Sequence, residues 1–284
     1  MSITSLGMLW MLLSGLCFVG VTVVVRYIGT RIPAPEAAFI RYAVGSLLLA
    51  PVLLNIARGK LQVHNWKLIS IRGVVHGIGV CLWFFAMARV PIAEVTALSY
   101  LTPVLMTIGA AIFFGEKLYT RRILAIVFGL IGVFIILRPG FSPISIGQIA
   151  QLVTAPLFAA SILVTKKLTG TEQLTVIVAT LSIICTFTLL PLAVVNWVQP
   201  NLTEVLLLSL TAVFATAGHF TLTQALKLAP ISVLQPVTFL QLLWATLFGV
   251  LLFGESIDAY VILGGTILVA STSYIAHREA VATH

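Results

Sequence analysis

The chain predicts an all-α membrane protein: ten transmembrane helices arranged as two inverted five-helix repeats. Three observations carry that prediction. Of the 284 residues, 60% are hydrophobic and only 8% are charged, against roughly 25% charged in a soluble domain, and the mean hydropathy is +1.14. The apolar residues fall into ten runs of about the length that crosses hydrocarbon. Finally, "FFGE" at 113–116 recurs as "LFGE" at 252–255, 139 residues later, and each copy closes such a run.

About 20 apolar residues rising about 1.5 Å each cross about 30 Å of hydrocarbon. By that measure the spans are 5–26, 36–56, 68–88, 91–113, 121–137, 145–165, 173–195, 203–226, 230–253 and 258–276. The first has no basic segment before it and no small-residue cleavage site after it, so it reads as a retained helix rather than a signal peptide. The second leads into the longest link, "ARGKLQVHNWK", which is too short and polar to fold alone. The fourth and ninth open on Pro91 and Pro230, where a missing N–H costs nothing. They close on Gly115–Glu116 and Gly254–Glu255, where glycine leaves helical geometry cheaply and the charge stays among headgroups. Both glutamates read first as interface stops. Pro103, Pro156 and Pro236 fall inside spans four, six and nine, and each removes a backbone bond and favours a kink. The fifth span carries Ala125, Gly129 and Gly132, a small-residue face suited to close helix packing. With only short links, no soluble domain exists, and whatever the chain does happens inside the bundle.

The formal charge of +8 comes from Lys and Arg scattered in ones to threes between apolar runs. There is no basic stripe, so nucleic acid is not an expected partner and the charge reads as topological. With a cytoplasmic N-terminus, eleven of the sixteen Lys and Arg fall on the cytoplasmic side. That bias predicts a multi-pass protein of the cell (inner) membrane with both termini in the cytoplasm. Arg26, Arg31 and Arg41, around the first link, run against it. Cys17, Cys81 and Cys185 all lie within apolar runs, which argues against a disulfide framework or a metal site.

A shift of 139 lays 86–116 on 225–255 without a gap and places Pro91 on Pro230 and Gly115–Glu116 on Gly254–Glu255. A shift of 140 aligns Gly7 with Gly147, Phe18 with Phe158 and Pro51 with Pro191. The copies are therefore 1–140 and 141–284. Five spans is an odd number, so two joined copies must cross the bilayer in opposite senses. Inverted repeats of this kind recur in secondary transporters, with substrate held near the midplane where the halves meet.

With the repeat in view, the chain resembles the drug/metabolite transporter (DMT) superfamily, specifically its EamA-type ten-helix metabolite permeases. The resemblance rests on "PAPEAAFIRYAVGSLLLAPVLL" at 33–54, "ARVPIAEVTALSYLTPVLMTIGAAIFFGEKL" at 88–118, "FGLIGVFIILRPG" at 128–140 and "LAPISVLQPVTFLQLLWATLFGVLLFGE" at 228–255. It implies two inverted halves around a central cavity that opens to one side at a time. It also implies carriage of small organic metabolites, amino acids or related compounds, with efflux as the leading direction. The alternative is uptake of a cofactor-like metabolite such as riboflavin or S-adenosylmethionine. Arg41 in "FIRY" falls on a common family arginine, which the second copy replaces with Leu181.

A different class would be an intramembrane enzyme or a channel. Against an enzyme, the chain has no HExxH, no GxGD, no HxxxxD pair and no Cys/His ligand set, and no two carboxylates are expected at matched depth. No nucleotide-binding loop is present. The expectation is a carrier, not an enzyme, without cofactor or bound metal. Its partners are a small-molecule substrate and the bilayer, and a homodimer is one state open to it.

Ionisable groups inside hydrocarbon are costly and so are site candidates by default. His76 and His219 fall at similar depth on spans three and eight, where each can hydrogen-bond substrate or carry a coupled proton. Trp83, Tyr100, Gln224, Gln235 and Trp244 supply the aromatic and amide groups of a pocket lining. Taken singly, each also suits a packing role. Arg41 and Glu94 fall at similar depth near the outer face and form the candidate gate, against the plainer reading of a snorkelling arginine and a helix-capping glutamate. The inversion has a direct test: in a cysteine-free background, single cysteines in the turns after Glu116 and Glu255 label from opposite sides of the bilayer.

Overall fold

The computed structural model describes residues 3–114, 120–168, 170–229 and 231–282, without side chains at 3–4, 110, 114, 121, 166, 223, 226–227, 231–233, 235–236, 239 and 275–282. Glu116 and Pro230, and the side chains of Gln235 and Pro236, lie outside that description. Among the described residues the regular structure is helical throughout. The helices are α1 (Ile3–Ile28), α2 (Ala34–Leu48), α3 (Ala50–Ala57), α4 (Trp66–Met87), α5 (Ile92–Ser99), α6 (Leu101–Phe114), α7 (Thr120–Leu137), α8 (Ile146–Leu168), α9 (Leu174–Val195), α10 (Leu202–Leu228), α11 (Ile231–Phe253) and α12 (Ala259–Ala282). Each expected span finds its helix or helix pair. Six spans are long and apolar enough to cross a bilayer unaided, a bent pair makes a seventh, and 122–137, 240–253 and 259–274 are shorter apolar stretches in α7, α11 and α12. Phe128 and Phe134 on α7 and Leu243 and Leu251 on α11 are exposed on the outside of the bundle, as lipid contact requires.

Two spans that read as single runs each divide into two helices, and one of them is sharply bent. α2 and α3 meet at a 69° bend. Pro51 cannot donate to the Leu47 carbonyl, and its ring crowds that oxygen, so the helix turns at Leu49. Pro103 likewise cannot donate to the Ser99 carbonyl, and the helix is interrupted at Tyr100, yet Ile92–Phe113 remains one span. Pro156 and Pro191, by contrast, sit inside α8 and α9 without ending either helix. The bend of the second span therefore has no counterpart in the second copy, although the prolines align.

Packing relates the copies by exchange. α1 lies on α10 and α8 lies on α4, so the first helix of each copy packs on the third helix of the other. α2 on α9 and α7 on α12 pair equivalent helices directly. The crossings match in detail. A Cβ added at Gly79 would stand 2.9 Å from the Phe158 ring, and one at Gly218 would stand 3.2 Å from the Phe18 ring. Gly79 and Gly218 are 139 apart, and Phe18 and Phe158 are 140 apart, so both copies use one device: a bare backbone that seats an aromatic ring. At the α7–α12 crossing, Gly132 and Gly264 face each other, and a Cβ on either would meet the other's carbonyl oxygen at 2.7 or 2.5 Å. Ala125 is buried and Gly129 touches Val104, so the small-residue face of α7 does pack closely.

The alternation of spans is visible in how the links meet. Arg26 pairs with Glu255, Arg31 with Glu204 and Arg138 with Asp258. Gln148 donates to Glu94, and the Val198 N–H donates to Glu36. Every one of these residues belongs to an odd-numbered link or to the helix end beside it, so the odd links share one face. On the opposite face the backbone N–H groups of His64 and Asn65 both donate to Glu172 at 2.7 Å, joining two even links. Arg26 and Arg31, which ran against the charge bias, are held by carboxylates on their own face. Replacing Gly132 or Gly264 with Ile is expected to lower stability by about 1–3 kcal/mol through overpacking, read as earlier loss of the monodisperse peak after heating in detergent. Gly15→Ala, whose Cβ would have its nearest neighbour at 3.7 Å, is expected to change little.

Candidate functional site

Helices α1, α2, α4, α8, α9 and α10 enclose a polar core. Its centre is His76 on α4, whose Nδ1 lies 3.0 Å from the Ser161 hydroxyl on α8. The ring of His76 stacks on Phe158, with centroids 5.0 Å apart and planes at 27°. The His219 ring, from α10, stands 6.0 Å from that of His76 and meets Phe18 edge-on at 5.1 Å. Trp83 meets Phe158 edge-on at 6.0 Å, and Tyr42 meets His76 edge-on at 6.5 Å. His76 and Ser161 are buried, whereas His219, Phe18, Phe158 and Trp83 keep part of their rings accessible.

The scaffold around this box is two-fold, because Gly79 seats Phe158 as Gly218 seats Phe18. The histidines are not: a shift of 139 carries His76 to Ala215 and His219 to Val80. A symmetric frame thus holds an asymmetric polar site. Such a box can stack on a flat ring and offer it imidazole hydrogen bonds.

Of the residues expected from sequence, His76, His219 and Trp83 come together here. Tyr100 does not join them; it sits at the break between α5 and α6 and donates its hydroxyl to the Thr238 carbonyl at 2.8 Å. Trp244 packs with Val19, Ile92 and Ala245 between α11, α1 and α5, and its buried Nε1 has no partner. Gln224 is half-buried on α10, beyond His219. The side chain of Gln235 lies outside the described residues.

The expected gate pair is not formed. Arg41 is buried with its guanidinium 4.3 Å from the Tyr42 ring and 5.9 Å from that of Phe84, and Glu94 accepts from Gln148. Helix direction placed the two at similar depth, but helix rotation aims them at different neighbours. Arg72 is also buried, in α4, where its Nη1 donates to the Ile177 carbonyl at 3.0 Å.

A second polar feature lies on the odd-link face. Gly254 takes φ +63, and the Glu255 N–H returns to the Gly249 carbonyl at 3.1 Å. This turn swings the Glu255 side chain back over Gly249, where a Cβ would stand 2.7 Å from the carboxylate. Glu255 then accepts from Arg26 Nε at 3.0 Å and from the Ile92 N–H at 2.9 Å, while Arg26 also donates to the Ala88 carbonyl at 3.3 Å. One carboxylate clamps α1, α4, α5 and α11, which is more than an interface stop. Beside it, Glu94, Glu255 and Asp258 line one cavity of about 90 Å³. Three carboxylates therefore do share a depth, contrary to the reading from sequence, because links three and nine meet. Each of the three has its own partner, so they form no free acid–base pair.

Sequence reasoning missed Phe18, Phe158 and Ser161 as site residues. A signal for two of them was present, since Phe18 and Phe158 coincide in the repeat register and Gly79 and Gly218 nearly so. For Ser161 there was none.

Ten apolar spans in two inverted copies, enclosing buried polar groups, define a multi-pass membrane transporter. The chain belongs to the EamA-like transporter family, whose model matches residues 5–138 and again 145–276. Among its relatives, a protein of Vibrio cholerae named riboflavin transporter is 32% identical over 96% of this chain and 93% of that one. A Rickettsia bellii protein named S-adenosylmethionine uptake transporter is 24% identical over 97% and 94%. A Pseudomonas aeruginosa protein named pseudopaline exporter is 24% identical over 93% and 94%. One solved structure superposes with a TM-score of 0.62 over 97% of this chain and 96% of that one, at 16% identity, and so shares the fold.

Loss of the clamp is expected to loosen the odd-link face. Glu255→Gln removes the charge on two bonds and is expected to cost about 2 kcal/mol, read as a lower melting temperature in detergent. Arg26→Ala is expected to cost no more, and the double variant to fall short of the sum of the two.

Proposed function

We propose that the protein is a secondary carrier that takes up a small metabolite bearing a flat heterocycle, with riboflavin and S-adenosylmethionine as first candidates, by alternating access across the cytoplasmic membrane. The observation that carries this reading is the box of His76, His219, Phe18 and Phe158, built from both copies at mid-depth. Stacking between aromatic faces recognises a flat ring, and a site where inverted halves meet is where alternating access places its cargo. The names of the Vibrio and Rickettsia relatives, both of which carry a heterocyclic cargo, support the same class.

In this reading the substrate enters beside His219 and Trp83, whose rings are partly accessible, and settles against Phe158 and His76. Ser161 holds the His76 ring in place. The Arg26–Glu255 clamp then acts as a gate on the odd-link face, which the charge bias makes the outer one, with both termini in the cytoplasm. Release of Glu255 from the Ile92 N–H would free α5 to swing from its hinge at Tyr100. The clamp takes over the role first given to Arg41 and Glu94.

Export of amino acids or related compounds, as the family resemblance implied, is the second reading, and the pseudopaline exporter among the relatives favours it. The two separate in proteoliposomes. Under the uptake reading, labelled riboflavin or S-adenosylmethionine shows saturable counterflow. His76→Ala and Phe158→Ala are each expected to weaken apparent affinity about ten-fold or more, while the purified variants stay monodisperse. Counterflow of labelled amino acids with neither heterocycle competing would instead support the export reading.

A further inference from the structure

Two guanidinium groups, Arg41 and Arg72, are buried in the wall of the core. Arg41 Nε and Nη1, Arg72 Nε and the Tyr42 hydroxyl are shielded from solvent and have no hydrogen-bond partner. Arg41 lies against the π-clouds of Tyr42 and Phe84, and these satisfy none of its N–H groups. Arg72 is anchored only through Nη1 to the Ile177 carbonyl. Arg41 lies on the Tyr42 ring, which meets the His76 ring edge-on at 6.5 Å, and Arg72 precedes His76 by one turn of α4, so both charges border the histidine box. Arg26, Arg31, Arg138 and His64 each pair with a carboxylate. Neither buried arginine forms such a pair among the described residues.

A guanidinium is always charged, so it cannot escape burial by losing its proton. A buried cation is tolerated when an opposite charge and hydrogen-bond acceptors meet it. Here the chain supplies two cations and a row of unused donors, and its nearest polar neighbours are histidines, a tyrosine and a thiol. The wall is rich in donors and poor in acceptors, and its charge is uncompensated. A neutral flavin ring would satisfy the stacking box but leave both charges unmatched.

We propose that Arg41, assisted by the Tyr42 hydroxyl and Arg72, is the specificity-determining contact of the core and takes an oxyanion of the cargo, a carboxylate or a phosphate. This rests on the histidine box being the cargo site. The cargo is then a flat ring that carries an acidic group: the ring stacks on Phe158 and His76 while the anion reaches the α2 wall. Charge-assisted bonds to a guanidinium are about twice as strong as neutral ones, so the acid decides between cargoes that stack equally well.

The test uses the full chain, purified in nanodiscs, and two ligand pairs that differ in one acidic group. The pairs are S-adenosylmethionine with its decarboxylated form, and flavin mononucleotide with riboflavin. In the wild type the acidic member of at least one pair is expected to bind about ten-fold tighter or more than its neutralised partner. Arg41→Gln is expected to bring that ratio near one while leaving the partner without the acid within about two-fold, a split that a merely structural arginine would not produce. Tyr42→Phe, which keeps the ring and removes only the hydroxyl, is expected to lower the ratio about three-fold or more and serves if Arg41→Gln does not fold. Equal binding within both pairs in the wild type, or a ratio unchanged in these variants, overturns the proposal and leaves the heterocycle reading standing. Binding of none of the four compounds overturns both.

Discussion

Hydrocarbon offers no hydrogen bonds, so every polar group this chain carries into the bilayer has to be met by another part of the molecule. The backbone meets that demand by forming helices throughout the described residues. Side chains meet it in a few places, and those places organise the protein. Hydroxyls return to carbonyls one turn back, as Thr96 does to Ile92 and Thr154 to Ala150. Glu255 gathers an arginine and a free helix N–H where a broken span begins. His76 finds Ser161. In a few places the demand is not met within the described residues, among them the guanidinium groups of Arg41 and Arg72 and the indole of Trp244.

The same constraint explains why the duplication matters. One five-helix copy would expose its polar crossings to lipid, and the exchange of α1 and α8 between copies covers them. Gly79 and Gly218 let each exchanged helix approach closely enough to seat a phenylalanine, and each ring meets one of the two histidines. Because the copies are inverted, their equivalent features fall on either side of the midplane rather than on one face. The chemistry then departs from the symmetry. Histidines occupy positions whose equivalents are alanine and valine, and Arg41 has only Leu181 across from it. The result is a symmetric frame with an asymmetric lining.

Much of this was legible in the residues. Ten runs of apolar length, the Pro-start and Gly–Glu-stop of the fourth and ninth spans, and the odd number per copy required helices, their count and their inversion. Alternation of the spans sorts the links into two sets, and the links observed to meet are the ones that share a side. Similar depth on spans three and eight brought His76 and His219 into view together. The prolines were less informative, since Pro51 bends its span by 69°, Pro103 leaves only an interruption at Tyr100, and Pro156 and Pro191 end neither of their helices. Nothing in a single run shows whether neighbouring helices can absorb a lost backbone bond.

Depth along a helix follows from residue number and direction, which is why the sequence by itself determined the spans, the repeat, the topology and the level at which polar groups lie. Rotation about the helix axis does not follow. In a soluble helix the polar face would reveal it, but a span apolar on all sides carries no such mark. Only the tertiary structure therefore decided that Arg41 turns to Tyr42 and Phe84 while Glu94 turns to Gln148. It likewise decided that Tyr100 and Trp244 stand apart from the histidines and that Glu255 closes on Arg26. Ladder bonds and hydrophobic length are local and are written residue by residue, whereas the choice of neighbour belongs to the packing of twelve helices at once.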